Sequence, residues 1–175
     1  MNPVRAFFFS NYFYGLCAIA LTIEATLQQG FPFNSLQFYA FSFAATVLYY
    51  TRAYITEKPS ASPNPRSQWY WENRKMVTLS QVFFTAIVAI YIGELAMQHF
   101  HFILSLSFLT WFMLSIFPAV AALYYGINHR RFAKYKLRNI GWLKPFIIGF
   151  VWAGLVNIYP ILFYNIENEL NYIPD

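Results

Sequence analysis

"AFFFSNYFYGLCAIALTI", residues 6–23, contains no Asp, Glu, Lys, Arg or His. A charge-free stretch of about 17 to 25 residues is the length that crosses a hydrocarbon core as a helix. The same test applied along the chain returns four more runs, Ala25–Thr51, Met76–Gly93, Phe102–Asn128 and Pro145–Ile166. Five such runs in 175 residues leave little sequence for anything else. Composition agrees: 58% of the residues are hydrophobic, 22% aromatic and 11% charged. A soluble surface carries charge over about a quarter or more of its positions, so the chain is read as integral to a membrane. Its pI near 9.3 does not indicate a nucleic-acid binder, because there is no soluble fold on which to mount a basic stripe.

The expected fold is an all-α integral membrane bundle, a single domain over 1–175. It has five transmembrane helices at about 4–28, 32–54, 76–97, 102–126 and 145–165 and an interfacial segment at about 66–75. "GFPFNS" marks the turn inside the second run, where Asn34 or Ser35 can cap the following helix. Pro118 lies inside the fourth run and is tolerable if a neighbouring group satisfies the carbonyl it frees. Pro145 opens the fifth, where a missing N–H costs little. Ala18-Ile19-Ala20 fits a signal-peptidase site formally, but Asn11 and several aromatics make the preceding run a poor signal, and the helix is expected to be retained.

The twelve basic residues set the orientation. Arg5 precedes the first run, Arg52, Lys58, Arg66, Arg74 and Lys75 lie between the second and third, and Arg130, Arg131, Lys134, Lys136, Arg138 and Lys144 lie between the fourth and fifth. The opposite side carries acids, Glu24, Glu94, Glu167, Glu169 and Asp175, and no Lys or Arg. Basic loops stay cytoplasmic, so the amino terminus is expected inside and the carboxyl terminus outside. The run "RRFAKYKLRNIGWLK" at 130–144 then sits against anionic lipid headgroups as a topological anchor, and could in addition hold the phosphates of a lipid-linked ligand. "RSQWYWENRK" at 66–75 puts Trp69, Tyr70 and Trp71 among charges, as an interfacial helix does, with anchoring or the covering of a ligand cavity as its use.

Other candidates are weaker. Cys17 is the one cysteine and sits in an apolar run, which leaves no disulfide or thiolate metal site. Glu94, His99 and His101 could ligate a metal, but the set lacks a further defined ligand and suits an interfacial turn as well. Asn11 and Asn157 are costly to expose to lipid and should face the bundle interior, while Gly149 and Ala153 form a weak small-residue packing pair.

"LRNIGWLKPFIIGFVWAGLVNIYP" at 137–160 and "FSFAATVLYYTRAYITE" at 41–57 resemble the fifth-helix region and the end of the second helix of the UbiA superfamily of intramembrane prenyltransferases. The resemblance implies a half bundle like the amino-terminal half of those enzymes, in a bacterial inner membrane. Family members hold magnesium and an allylic diphosphate with two Asp-rich motifs. The helices that bear the second motif are absent here. The first motif, N-x-x-x-D-x-x-x-D, falls on Tyr49, Ala53 and Glu57, so one carboxylate remains of three ligand positions.

The resemblance therefore implies Glu57 as a magnesium ligand, and Arg52, Glu57, Arg130, Arg131, Lys134 and Arg138 as contacts to an isoprenoid diphosphate. Glu57 could equally be a solvated acid beside Lys58, and Arg52 a snorkelling anchor. No catalytic residue is assigned. The chain is expected to be a truncated or degenerate form that binds polyprenyl diphosphate without catalysing transfer alone, and its open inner face asks for a second-half partner or a homo-oligomer. The alternative is a non-catalytic assembly subunit or small transporter component, for which the basic loops serve topology only.

Overall fold

A computed structural model describes residues 3–55, 64–125 and 141–170, and every regular element among them is helical. In order these are α1 (Pro3–Phe9), α2 (Tyr12–Gln28), α3 (Leu36–Ile55), α4 (Pro65–Glu72), α5 (Arg74–Gln98), α6 (Phe100–Ser105) and α7 (Phe108–Tyr125), then α8 (Lys144–Ala153) and α9 (Tyr159–Glu167). A 3-10 turn, Gly141–Leu143, leads into α8, and a π-turn, Gly154–Ile158, joins α8 to α9. Two of the helical segments are long and apolar enough to cross a membrane, Arg74–Gln98 and Gly141–Glu167. A third qualifies if α1 and α2, bent by 64° against each other, are one broken span.

α3 has 20 residues but does not reach that hydropathy. Gln37, Tyr39, Ser42, Thr46, Tyr49, Tyr50 and Thr51 dilute it. Its burial explains why this is tolerated: Phe38, Ser42, Ala44, Thr46, Val47 and Thr51 are all buried, so this helix meets protein where α5 presents Leu79, Val82, Phe83 and Ile90 outward. The fourth run is also less regular than its composition suggests. α6 stops at Ser105 and α7 starts afresh at Phe108, because the Ser107 hydroxyl accepts from the Thr110 N–H at 3.2 Å and caps the new helix.

The described residues group into two compact units. The first runs through Ile23 and takes up again from Asn34 to Gln98. Ser35 Oγ starts α3 by accepting from the Phe38 N–H at 3.1 Å. Ala44 and Val47 of α3 and Phe84 of α5 form its core with Tyr12, Phe43 and Ile87 around them. α2 approaches closely at Gly15, where a β-carbon would lie 2.6 Å from the Phe43 ring.

The second unit contains Glu24–Phe33 and the described residues from His99 onward. Gly30, at φ 62°, closes α2: its N–H donates to the Leu27 carbonyl and that of Phe31 to Thr26. Pro118 interrupts α7, and the carbonyl it strands four residues back is that of Leu114. The Tyr159 hydroxyl donates to that carbonyl at 2.8 Å. Pro160 plays the matching role in the last helix. With no N–H to offer Val156, it forces a wider turn in which the Tyr159 N–H reaches Gly154.

Small-residue packing falls at Gly154, where a β-carbon would lie 2.2 Å from Phe117. A β-carbon added at Gly149 would meet no atom of another element within 4 Å among the described residues. Asn157 also departs from expectation: it is exposed, donating to the Ala153 carbonyl at 3.3 Å and accepting from Gln29 at 3.4 Å.

Candidate functional site

The break between α1 and α2 gathers the most polar cluster in the first unit. Asn11 takes a left-handed backbone, φ 68°, which Asn tolerates better than other residues with a side chain. A helix that stops leaves its last four carbonyls without intrahelical partners. Here each finds one. Ala6 O accepts from the Ser10 N–H at 2.9 Å, and Phe7 O from the Ser10 hydroxyl at 3.2 Å. Phe8 O accepts from Arg66 Nη2 at 3.2 Å, and Phe9 O from Arg66 Nε and Nη2 at 3.2 and 3.0 Å. A cation at a helix carboxyl end also complements the helix dipole.

Arg66 comes from α4, and the sequence places it there: Asn64 Oδ1 accepts from the Arg66 N–H at 2.9 Å and Pro65 fills the first turn. Its guanidinium lies over the Tyr54 ring, 4.4 Å from the centroid, and Tyr54 in turn stacks on Tyr70 at 5.2 Å and 9°. Arg66 Nη2 also donates to Asn11 Oδ1. The other end of the same amide, Nδ2, donates to Thr51 Oγ1 at 3.1 Å and Tyr70 Oη at 2.9 Å. Asn11, Thr51 and Tyr70 are all buried, and the two hydroxyl oxygens lie 3.3 Å apart. Burial raises the Tyr70 phenol above its ordinary value, against the opposing effects of the Thr51 hydrogen bond and the Arg66 charge. Trp69, Tyr70 and Val77 wall the cluster with Ala6, Phe9 and Tyr54.

Of the residues assigned from sequence, Arg52 lies in the last turn of α3, exposed and next to buried Thr51. Glu57, Arg130, Arg131, Lys134 and Arg138 lie outside the described residues. Among the described residues no three His, Cys, Asp or Glu side chains group as metal ligands. His99 instead faces Glu169, Nδ1 to Oε1 at 3.0 Å.

Comparison with protein-family models, curated proteins and solved structures returns no match to this chain. Its chemistry is therefore read from the cluster itself. A guanidinium, an amide and two hydroxyls are hydrogen-bonding groups, suited to holding backbone or an anionic oxygen. Sequence reading missed Arg66, Thr51 and Tyr70 in this role. The signal that could have found them is Asn11, an interior amide needing four hydrogen bonds in an apolar run.

Proposed function

We propose that this chain is an integral protein of a bacterial inner membrane, with five spans, its amino terminus inside and its carboxyl terminus outside. At the cytoplasmic face it binds an isoprenoid diphosphate, as a relative of the UbiA prenyltransferases that does not catalyse transfer alone. The observation that carries the reading is the broken first helix. In membranes, irregular backbone is tolerated where it is buried in protein or borders a polar site. Exposed Arg52 follows Thr51 in α3, and Thr51 Oγ1 accepts from Asn11 Nδ2 at that break. Glu57 with magnesium, and Arg130, Arg131, Lys134 and Arg138, would complete a site of that kind.

Binding of a fluorescent polyprenyl diphosphate to the detergent-purified protein, with and without magnesium, tests this. Saturable magnesium-dependent binding, weakened in Arg52→Ala, Glu57→Gln and Arg130→Ala/Arg131→Ala, is the expected result. Binding indifferent to all three rejects the reading.

A second reading is a non-catalytic assembly subunit or transporter component. It is favoured by the way the hydrogen bonds of Asn11 end on the chain itself, on Thr51, Tyr70 and Arg66. A stable complex with a second membrane protein, formed without any diphosphate binding, is its signature.

A further inference from the structure

We propose that the exposed face of α2 around Glu24 docks a membrane-spanning helix of a second protein, one that carries a Lys or Arg opposite this carboxylate. The inference stands apart from the diphosphate site and holds with or without it.

The depth of Glu24 is the first observation. Gln29, just past the end of α2, donates to Asn157 Oδ1 at 3.4 Å. Asn157 stands ten residues before Glu167, the end of the Gly141–Glu167 span, which is about 15 Å along the helix axis. From Gln29 the chain moves on to Phe31, whose ring meets that of Tyr164 at 5.2 Å. The turn therefore runs toward the Glu167 end, and α2 arrives from the opposite side. Glu24, five residues before Gln29, lies up to about 7 Å deeper. It is then about 15 to 22 Å from the Glu167 end of a 27-residue segment about 40 Å long. Charge patterning puts Glu24 in a polar turn, whereas the contact with Asn157 puts it at the level of the hydrocarbon core.

Its company is the second observation. Glu24 is exposed. Its Oε1 accepts from Gln28 Nε2 at 2.9 Å, and among the described residues it joins no ion pair. The rest of this face of α2 is apolar: Phe13, Leu16, Ala20, Leu21 and Leu27 are all exposed. Hydrocarbon offers a carboxylate neither a counter-charge nor a hydrogen bond, so an ionisable group at this level pairs, faces a bundle interior or borders water. On an outward apolar face, pairing supplies what the bilayer lacks.

The charge also selects the partner. No Lys or Arg occurs in residues 6–51, 76–129 or 145–175, so a second copy in the same orientation has none to bring to this level. Two copies meeting through α2 would set carboxylate against carboxylate. The complement is a cation on a helix of a different protein, with Gln28 as a further hydrogen-bonding group and Ala20 as a small residue that lets the backbones approach.

Energy transfer in phosphatidylcholine vesicles tests this, between the dye-labelled full chain and acceptor-labelled Leu/Ala peptides of about 21 residues. One peptide carries a single central Lys and the other Leu at that position. Wild type should bind the Lys peptide severalfold more tightly than the Leu peptide. Glu24→Gln, which keeps the size and the hydrogen-bonding capacity, should bind the two alike. Glu24→Lys should prefer a peptide with a central Glu. Glu94→Gln, which removes an exposed acid of α5, should keep the wild-type preference.

No preference in wild type overturns the proposal. So does a preference that survives Glu24→Gln, or one lost equally in Glu94→Gln, which would assign it to diffuse charge. In a Cys17→Ser background, Glu24→Cys should resist a membrane-impermeant thiol reagent, and rapid modification would put position 24 in water and reject helix docking there. A complex with another membrane protein that persists unchanged in Glu24→Gln and Glu24→Lys would leave the assembly reading standing and reject this face as its contact.

Discussion

Replacing Tyr159 by Phe removes a single oxygen, and its effect should depend on a residue forty-one positions earlier in the chain, Pro118. The Tyr159 hydroxyl donates to Leu114 O at 2.8 Å, and Leu114 O is the acceptor that the residue at 118 would serve if it had an N–H. In wild type, Tyr159→Phe leaves that carbonyl unserved in an apolar helix. An unsatisfied buried acceptor costs about 1 to 3 kcal/mol, and hydrogen bonds between membrane helices run from about 0.6 to 1.7 kcal/mol. A loss of about 1 to 1.5 kcal/mol is therefore expected.

In the Pro118→Ala background the residue at 118 donates to Leu114 O through the backbone. The same Tyr159→Phe change should then cost no more than about 0.5 kcal/mol. Reversible unfolding in mixed micelles, titrated with a denaturing detergent, measures all four corners of the cycle. The expected coupling is about 1 kcal/mol, well outside the scatter of about 0.3 to 0.5 kcal/mol for independent sites. Additive costs would refute the assignment of the hydroxyl to the proline-stranded carbonyl.

Asn11→Ala loses the amide bonds and must hold φ 68°, whereas Asn11→Gly loses the bonds alone. Ala should unfold more easily than Gly by about 1 kcal/mol, and equal midpoints would remove the left-handed backbone from the explanation. Gly154→Ala drives a methyl into Phe117 and should cost about 1 to 3 kcal/mol, in part recovered by Phe117→Leu. Gly149→Ala, with open space around it, should be neutral or stabilising by up to about 1 kcal/mol, so a matching loss at both glycines would refute the packing.

Tyr70 titrates above its ordinary value of 10.0. The unfolded chain therefore releases that proton first, and the stability involved is complete below pH 10, falling as pH rises through the folded value. The alkaline limb of the stability profile should be shallower in Tyr70→Phe than in wild type, and identical limbs would dissociate Tyr70 from it.

The sequence makes legible those features that depend on chain-local chemistry. Charge-free runs become helices, two or three of them long and apolar enough to cross a membrane, Ser35 caps α3, and the demand made by Pro118 on its surroundings is met by Tyr159. Features that depend on rotation about a helix are less legible. The spacing of Gly149 and Ala153 predicts a shared packing face, but the close approach falls one residue further on, at Gly154, where the π-turn Gly154–Ile158 begins. One residue turns a side chain by about 100°, and it is Gly154 that meets Phe117. Counting charges likewise conceals the break at Ser10 and Asn11, because neither residue is ionisable and both lie inside an apolar run. Of the proposed diphosphate site, one residue, Arg52, is among those described.

Arg66 shows why a basic residue near a membrane surface does not reduce to topology. The positive-inside tendency asks for charge of either kind in the loop, and Lys satisfies it as well as Arg. The broken helix asks for more: donors in a planar fork that reach two adjacent carbonyls and an amide oxygen together, which an ammonium on a flexible stem does not reproduce. Arg66→Lys separates the two demands. Orientation, read by labelling of cysteines placed at the two termini, should be unchanged, since all twelve positive charges remain. The stability of the α1–α2 break, read by protection of the Phe8 to Asn11 segment from hydrogen exchange, should fall. A variant that kept full protection would show that Arg66 serves position in the bilayer alone, and that the bend is held by Asn11, Thr51 and Tyr70 without it.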